Sequence, residues 1–444
     1  MNNSLALIKW LIKDLIVGSA VPIIGKISLV LFYVCYPFNR HFAYISLLKS
    51  SRYTQSERAS LLIASHRLKM RPHLERIIGE QALADSTGKR KSYRRAIVLN
   101  NPKITDSKII KGILLIKFTD TFNYYCSDIQ IEQLIKYFHV ILEPSWAGYA
   151  LPEILYWSYF NEKILIESSE ITDRKLIEGL KSNLIPVSFG SSDWVNHEVF
   201  KPLNLEKEYA SVYVANFNAI KRHHIYFKAL SKIDTGKKSA LVCGQWGESQ
   251  KDIESLIEYY DLKESLDVYV GLSHDELNEL LNKSKVNVLL SHKEGSNRSI
   301  FEGFFSGVPG IVLSSNIGVN KNYINEFTGK LVTDEELADA LKYFDKNWQQ
   351  YDTRTWAMNN ISAVKTTKKM IGLFYSDLDD ESKKWAAQTA VKVNSPEAIY
   401  FDKENEKVML DSLDIINIFS KSNVDEAMPS NLNKTINDIA KKLA

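Results

Sequence analysis

The sequence predicts an α/β protein made of two doubly wound units, each a parallel sheet with helices on both faces. Three observations carry this. From Arg95 to about residue 189, short apolar runs alternate with helical stretches, the pattern of a parallel sheet. A second alternation begins at Tyr209. Inside it, residues 286–315 (VNVLLSHKEGSNRSIFEGFFSGVPGIVLSS) read as strand, loop, helix, turn and strand.

The totals fit this class. The 444 residues leave room for two or three domains. A hydrophobic share of 45% and a charged share of 25% are those of a folded protein. A formal net charge of +3 does not mark a nucleic-acid binder. Cys35, Cys126 and Cys243 have neither metal spacing nor the even count of a disulfide framework, which suits a reducing compartment. The nine histidines form no zinc motif, so no metal and no cofactor are expected.

Residues 1–90 form a helical N-terminal region. Leu5, Ile8, Ile12, Leu15 and Ile16 share one helical face, with Lys9 and Lys13 off it. The uncharged runs 15–25 and 27–38 are split by Lys26 and fall short of the roughly 20 residues of a membrane span. Pro22 and Gly25 weaken one continuous helix. The expectation is of helices lying on a membrane surface, with Lys49, Arg52, Arg58, Arg67, Lys69, Arg71 and Arg76 facing anionic headgroups. The competing reading packs this segment on the protein itself or on a second subunit. DSTGKRKSYRR then marks a linker.

Residues 91–203 hold the first alternating unit, with strands expected at 96–99, 113–118, 140–142, 163–167 and 185–189. Ligands of such sheets bind beyond the carboxyl ends of the strands. That rim includes Asp120, placed to receive an acceptor hydroxyl proton or simply to cap a helix. It also includes EPSWAGY, with Glu143 as a carboxylate and Trp146 as a stacking platform or a packed edge residue.

Residues 204–345 hold the second unit. SALVCGQWGES is a strand and a Gly-rich turn, making Gly244 a wall of a nucleotide pocket. In the central stretch, Glu294 stands in a loop hinged at Gly295 and Glu302 one turn into the helix. Between them, Asn297, Arg298 and Ser299 offer helix-start N–H groups and a positive charge to an anion. Gly307 and Pro309 end the helix. Acceptor, anion cradle and acceptor match the hydroxyls, pyrophosphate and ribose diol of a nucleotide sugar, since a carboxylate has two oxygens for a diol.

Glu294 and Glu302, an E-x7-E pair inside EGSNRSIFEGFFSGVPGIV, resemble the donor motif of retaining GT-B glycosyltransferases, family four in particular. The resemblance implies two Rossmann-like domains facing a cleft, Glu294 toward the donor sugar and Glu302 on the ribose. It also implies a pyrophosphate contact for Lys221, which precedes a helix as the family's lysine does. An arginine common five residues earlier is Asn216 here, leaving Arg222 or Arg298 to supply that charge. VSFGSSDWVNHEVFKP resembles the inter-domain crossing, placing the hinge near residue 203. Residues 346–444 become a helical region crossing back to the first domain, plus a tail without an assigned role.

The implied function is sugar transfer from a UDP- or GDP-linked donor to a glycan or lipid-linked acceptor. Configuration would be retained and no metal needed, because no D-x-D motif stands near an expected strand end and no metal-ligand cluster is present. The place would be the cytoplasmic face of the cell membrane, in surface polysaccharide or glycolipid synthesis. The alternative is a non-catalytic scaffold or adaptor of the same fold in a membrane-bound glycan assembly. A glycosidase reading of the two carboxylates is disfavoured by their phosphate-type setting.

Overall fold

The computed structural model describes residues 3–84, 95–105, 108–244, 250–295, 297–375, 379–394, 399–422 and 428–441. Outside them lie the basic run of the linker up to Arg94, residues 245–249 of the Gly-rich turn, Ser296, and Ser395 and Pro396. The chain divides into two compact units. Unit one is Met1–Ile23 with Val195–Ser362, and unit two is Ile24–Trp194 with Ala363–Ala444.

This division corrects the expected boundaries. The boundary between the units falls after residue 194 rather than near 203, because Val195 and Phe200 are buried with Tyr209, Phe301 and Phe305 in unit one. The first 90 residues do not form one region. Helix α1 (Asn3–Leu15) buries Ala6 and Trp10 in the core of unit one. Residues 346–362 also stay there, where Arg354 donates to the carbonyls of His197, Phe200 and Phe305.

In unit two, strands β1 (Ala96–Asn100), β2 (Gly112–Lys117), β3 (Phe138–Glu143), β4 (Ile164–Glu167) and β5 (Leu184–Val187) form one sheet in the order β1-β2-β3-β4-β5. The last four are parallel, but β1 runs antiparallel to β2. Residues 101–111 between them are too few for a crossover helix, so only the antiparallel pairing is open. One sheet face is covered by helices α3 (Arg40–Thr54) and α4 (Glu57–Ala84), which bury Tyr44, Leu47, Ile63, Met70 and Leu74. The other is covered by Met370, Phe374, Tyr375, Val393 and Tyr400. Residues 363–375, 379–394 and 399–400 therefore contribute to the core of unit two, as do Ile415 and Phe419 further on.

Helix α2 (Val21–Cys35) follows α1 through a π-helical turn, Ile16–Ala20. Pro22 and Gly25 thus do not split the segment: Pro22 directly follows the π-helical turn, where the regular i→i−4 ladder is already interrupted. Among the described residues one helix, Ser4–Cys35, is long and apolar enough to cross a membrane.

Unit one holds β6 (Tyr209–Val214), β7 (Lys238–Cys243), β8 (Leu266–Val270), β9 (Asn287–Leu289), β10 (Gly310–Leu313) and β11 (Gly329–Val332). All are parallel, in the order β8-β7-β6-β9-β10-β11. Counted within the unit this is 3-2-1-4-5-6, the order of a dinucleotide-binding sheet.

Candidate active site

Strand order reverses between β6 and β9, so the loops that follow them diverge and leave a crevice at their carboxyl ends. A cavity of about 390 Å³ lies there. Its polar wall is Asn216, Lys221, Glu294, Asn297, Arg298, Ser299 and Glu302; Gly244, Leu272, His274 and Leu277 line the rest with Val214, Ala215, Val242 and Cys243.

The loop after β6 sets its two cations apart. Asn218 caps a short 3-10 turn, Ala219–Lys221, by accepting the Ile220 N–H at 3.1 Å. Arg222 then takes a left-handed conformation at φ 56°, which sends consecutive side chains in different directions. Lys221 turns to the cavity and donates to Glu294 Oε1 at 2.6 Å. Arg222 turns away, where its guanidinium meets Asp14 and Asp334. It is buried and does not line the cavity, which corrects its expected donor-binding role.

The loop after β9 is held on its far side. The Glu294 N–H donates to the Ile317 carbonyl at 2.8 Å, and Ile317 returns a bond to His292 at 3.0 Å. Gly318, at φ 113°, permits this approach: a Cβ there would lie 2.2 Å from the Glu294 carbonyl oxygen. Nothing in the sequence pattern marked Gly318. Gly295 belongs to this loop but not to the cavity wall.

Asn297 lines the cavity yet spends its side chain on the helix start, accepting the Ile300 N–H and the Ser299 hydroxyl, each at 3.0 Å. Glu302 lies one turn into that helix, Ser299–Phe305. Its burial raises the carboxyl pKa, against the pull of Arg298 and His274. The helix ends at Gly307, φ 79°, as expected. Asn216 Oδ1 is buried and without a hydrogen-bond partner.

The residues expected on the acceptor side belong to unit two. Glu143 is not an available carboxylate, because Lys392 Nζ sits 2.5 Å from it, Lys117 3.8 Å away, and Ser191 donates at 2.9 Å. Trp146 is 45% exposed. Asp120 stands in the first turn of Thr119–Asp128 and accepts from Arg95 at 2.8 Å. None of the three lines the cavity of unit one. The expected headgroup cations are partly engaged too: Arg67 donates to the Ser158 carbonyl, and Arg71 and Arg76 pair with Glu75 and Glu80.

Comparison with known proteins adds a family. No curated protein sequence matches the chain. Among solved structures, a sucrose-phosphate synthase from Thermosynechococcus elongatus is similar at TM-score 0.49 and 16% identity, over 60% of this chain and 73% of that one. TarM of S. aureus, solved with fondaparinux, α-GlcNAc-glycerol and UDP, is similar at 0.47 and 15%, over 59% and 55%. HepE of Anabaena, solved with UDP-glucose, is similar at 0.47 and 12%, over 59% and 78%. The model of the glycosyl transferases group 1 family matches residues 195–355, the segment that carries β6 to β11 and the whole cavity wall. Over residues 195–355, then, the chain carries a glycosyl transferases group 1 domain.

Proposed function

We propose that the chain moves a sugar from a UDP- or GDP-linked donor to a glycan or lipid-linked acceptor, with retention and without a metal ion. The single observation that carries the donor half is the cavity at the β6–β9 crossover, which gathers Lys221, Glu294, Arg298 and Glu302. Glu302 takes the ribose diol and Leu272 and His274 flank the base. The diphosphate displaces Lys221 from Glu294, and the freed Glu294 takes the sugar hydroxyls. As the bond from the anomeric carbon to phosphate oxygen breaks, Lys221 and Arg298 meet the charge on the leaving diphosphate. The acceptor oxygen bonds to the same face of that carbon, and its proton passes to the departing phosphate oxygen.

A thermal-shift screen with UDP-, GDP- and ADP-sugars tests this reading, followed by release of nucleotide from labelled donor in the presence of EDTA. Absence of any shift sinks the donor site, and EDTA-sensitive release sinks the metal-free claim.

The proposed location is the inner membrane face, in surface polysaccharide or glycolipid synthesis. Support comes from α1, whose Leu5, Ile8, Ile12 and Leu15 are each about half exposed or more, and from three free cysteines. Replacing Ile12→Glu and Leu15→Glu together releases the protein from anionic vesicles on this reading; unchanged co-sedimentation contradicts it.

A further inference from the structure

Helix α1 is tied to unit one by more than its apolar face. The Asp14 carboxylate lies among Arg222, His224 and His292. Arg222 Nε donates to Asp14 Oδ1 at 2.9 Å and Nη2 to Oδ2 at 3.3 Å. His292 Nε2 bonds Oδ1, and His224 Nε2 lies 3.3 Å from Oδ2. Burial raises the Asp14 pKa, but the bonds from His224, His292 and Arg222 outweigh it and hold the carboxyl well below its usual range. Arg222 is completed from the other side by Asp334, at 2.9 Å from Nη1. Two of the Asp14 partners adjoin the cavity in sequence: Arg222 follows Lys221, and His292 stands two residues before Glu294. The two loops also touch directly, with the His292 N–H donating to the Ile220 carbonyl at 3.3 Å. Gly18, one turn beyond Asp14, also lies beside this node: a Cβ there would stand in ordinary contact with His292 Cε1, at 3.6 Å.

We infer that Asp14 is a positioning residue of the donor site, clamping the loops after β6 and β9 together so that Lys221 and Glu294 meet in the cavity wall. The inference rests on the donor-site reading above. One carboxylate reaches both loops, and a buried guanidinium held by two carboxylates has little freedom to shift. Loss of Asp14 leaves Arg222 with Asp334 alone and His292 without its partner. Both loops then relax, and the cation and acid they carry move with them.

The test uses the full chain. Wild type, Asp14→Asn, and Asp14→Asn in a background of Lys221→Ala with Glu294→Ala are titrated calorimetrically with UDP-glucose and GDP-mannose. The nucleotide sugar that wild type binds more tightly is kept. Asp14→Asn alone weakens binding about 10-fold or more, since a misplacement of about 1 Å can cost about 100-fold. In the background lacking the pair, the same change shifts binding by less than about twofold, because the groups it positions are gone. A merely structural role gives equal losses in both. His292→Gln cuts one tie and moves binding in the same direction; it serves as the measurement should Asp14→Asn not fold. Lys9→Gln breaks the ion pair of α1 with Asp252, touches neither loop, and leaves binding within about twofold. Wild-type affinity in Asp14→Asn, or in His292→Gln where that is the folded variant, overturns the inference, as do equal losses in the two backgrounds. Failure of wild type to bind either nucleotide sugar removes the donor-site reading and this inference with it.

Discussion

The Lys221–Glu294 pair makes an unusual prediction: removing the acid should tighten the grip on a nucleotide. The two charges are 2.6 Å apart, with side chains 15% and 10% exposed. At an effective dielectric of about 20, their gross attraction at that 2.6 Å separation is roughly 6 kcal/mol. Most of this is offset by desolvation, so breaking the pair costs about 1–2 kcal/mol net. A diphosphate that recruits Lys221 must supply that energy. Glu294→Gln keeps the shape, removes the charge and leaves the lysine unengaged. Affinity for free UDP or GDP is then expected to rise about 5- to 30-fold. Turnover of the nucleotide sugar falls, because the sugar loses its charged acceptor. Calorimetric titration with the diphosphate and a donor-hydrolysis assay read the two effects separately. Since the gain is electrostatic and the pair is only partly buried, it shrinks as salt is added. A variant that binds the diphosphate no more tightly than wild type refutes the exchange of partners, even if turnover is lost.

Glu302→Ala leaves a ribose diol without its carboxylate; charge-assisted hydrogen bonds are worth about 1.5–3 kcal/mol each, so nucleotide affinity drops at least roughly 100-fold by calorimetry. Glu302→Gln carries a stability signature of opposite sign. Burial raises the Glu302 pKa, so the ligand-free protein holds its proton more tightly than the unfolded chain and loses stability as pH rises from the ordinary carboxylate range through the raised value. The glutamine variant therefore melts higher than wild type at neutral pH, and the difference vanishes below about pH 4; equal melting curves at both pH values contradict the burial penalty. Lys392→Met strips a buried Glu143 of its nearest cation, leaving Lys117 at 3.8 Å, and lowers the stability of unit two by roughly 3 kcal/mol in urea.

Much of unit one was legible because its signals are local. Glu294, Glu302, Gly307 and Pro309 sit within one strand–loop–helix segment, and an apolar run of Val and Leu reads as a buried strand whatever lies elsewhere. Lys221 came from the family resemblance rather than from a local pattern, and it does line the cavity. What escaped notice depends on contacts between distant parts of the chain. Asp14 meets Arg222 across 208 positions, and no local pattern in residues 1–20 foretells it. Glu143 reads as an available carboxylate at a strand end until Lys392 arrives from 249 positions away. The divided N-terminal region is a third case. Its apolar stripe was plain, but an α-helix with residues such as Ala6 and Trp10 off that stripe does not say which core receives them. Reversal of β1 was predictable in hindsight from the length of its connection, a constraint that alternation alone does not include.

The charge inventory of the cavity ties these observations together. The resemblance expects an arginine where Asn216 stands, and the structure does not replace it with Arg222, whose guanidinium is consumed by Asp14 and Asp334. Among the described residues the wall carries Lys221 and Arg298 as cations against Glu294 and Glu302 as acids. An arginine at position 216 would give that wall a net positive charge in the empty state. The asparagine instead offers a neutral amide, with Oδ1 buried and unpaired, an arrangement that costs stability until a donor group reaches it. A hydroxyl or a ring N–H of the ligand satisfies that oxygen, whereas a phosphate, which only accepts, does not. On the proposed donor reading, Asn216 thus shifts the selectivity at this point of the cavity from charge toward hydrogen-bond donation, and Lys221 is left as the cation whose release from Glu294 would couple diphosphate entry to the freeing of the acid proposed for the sugar.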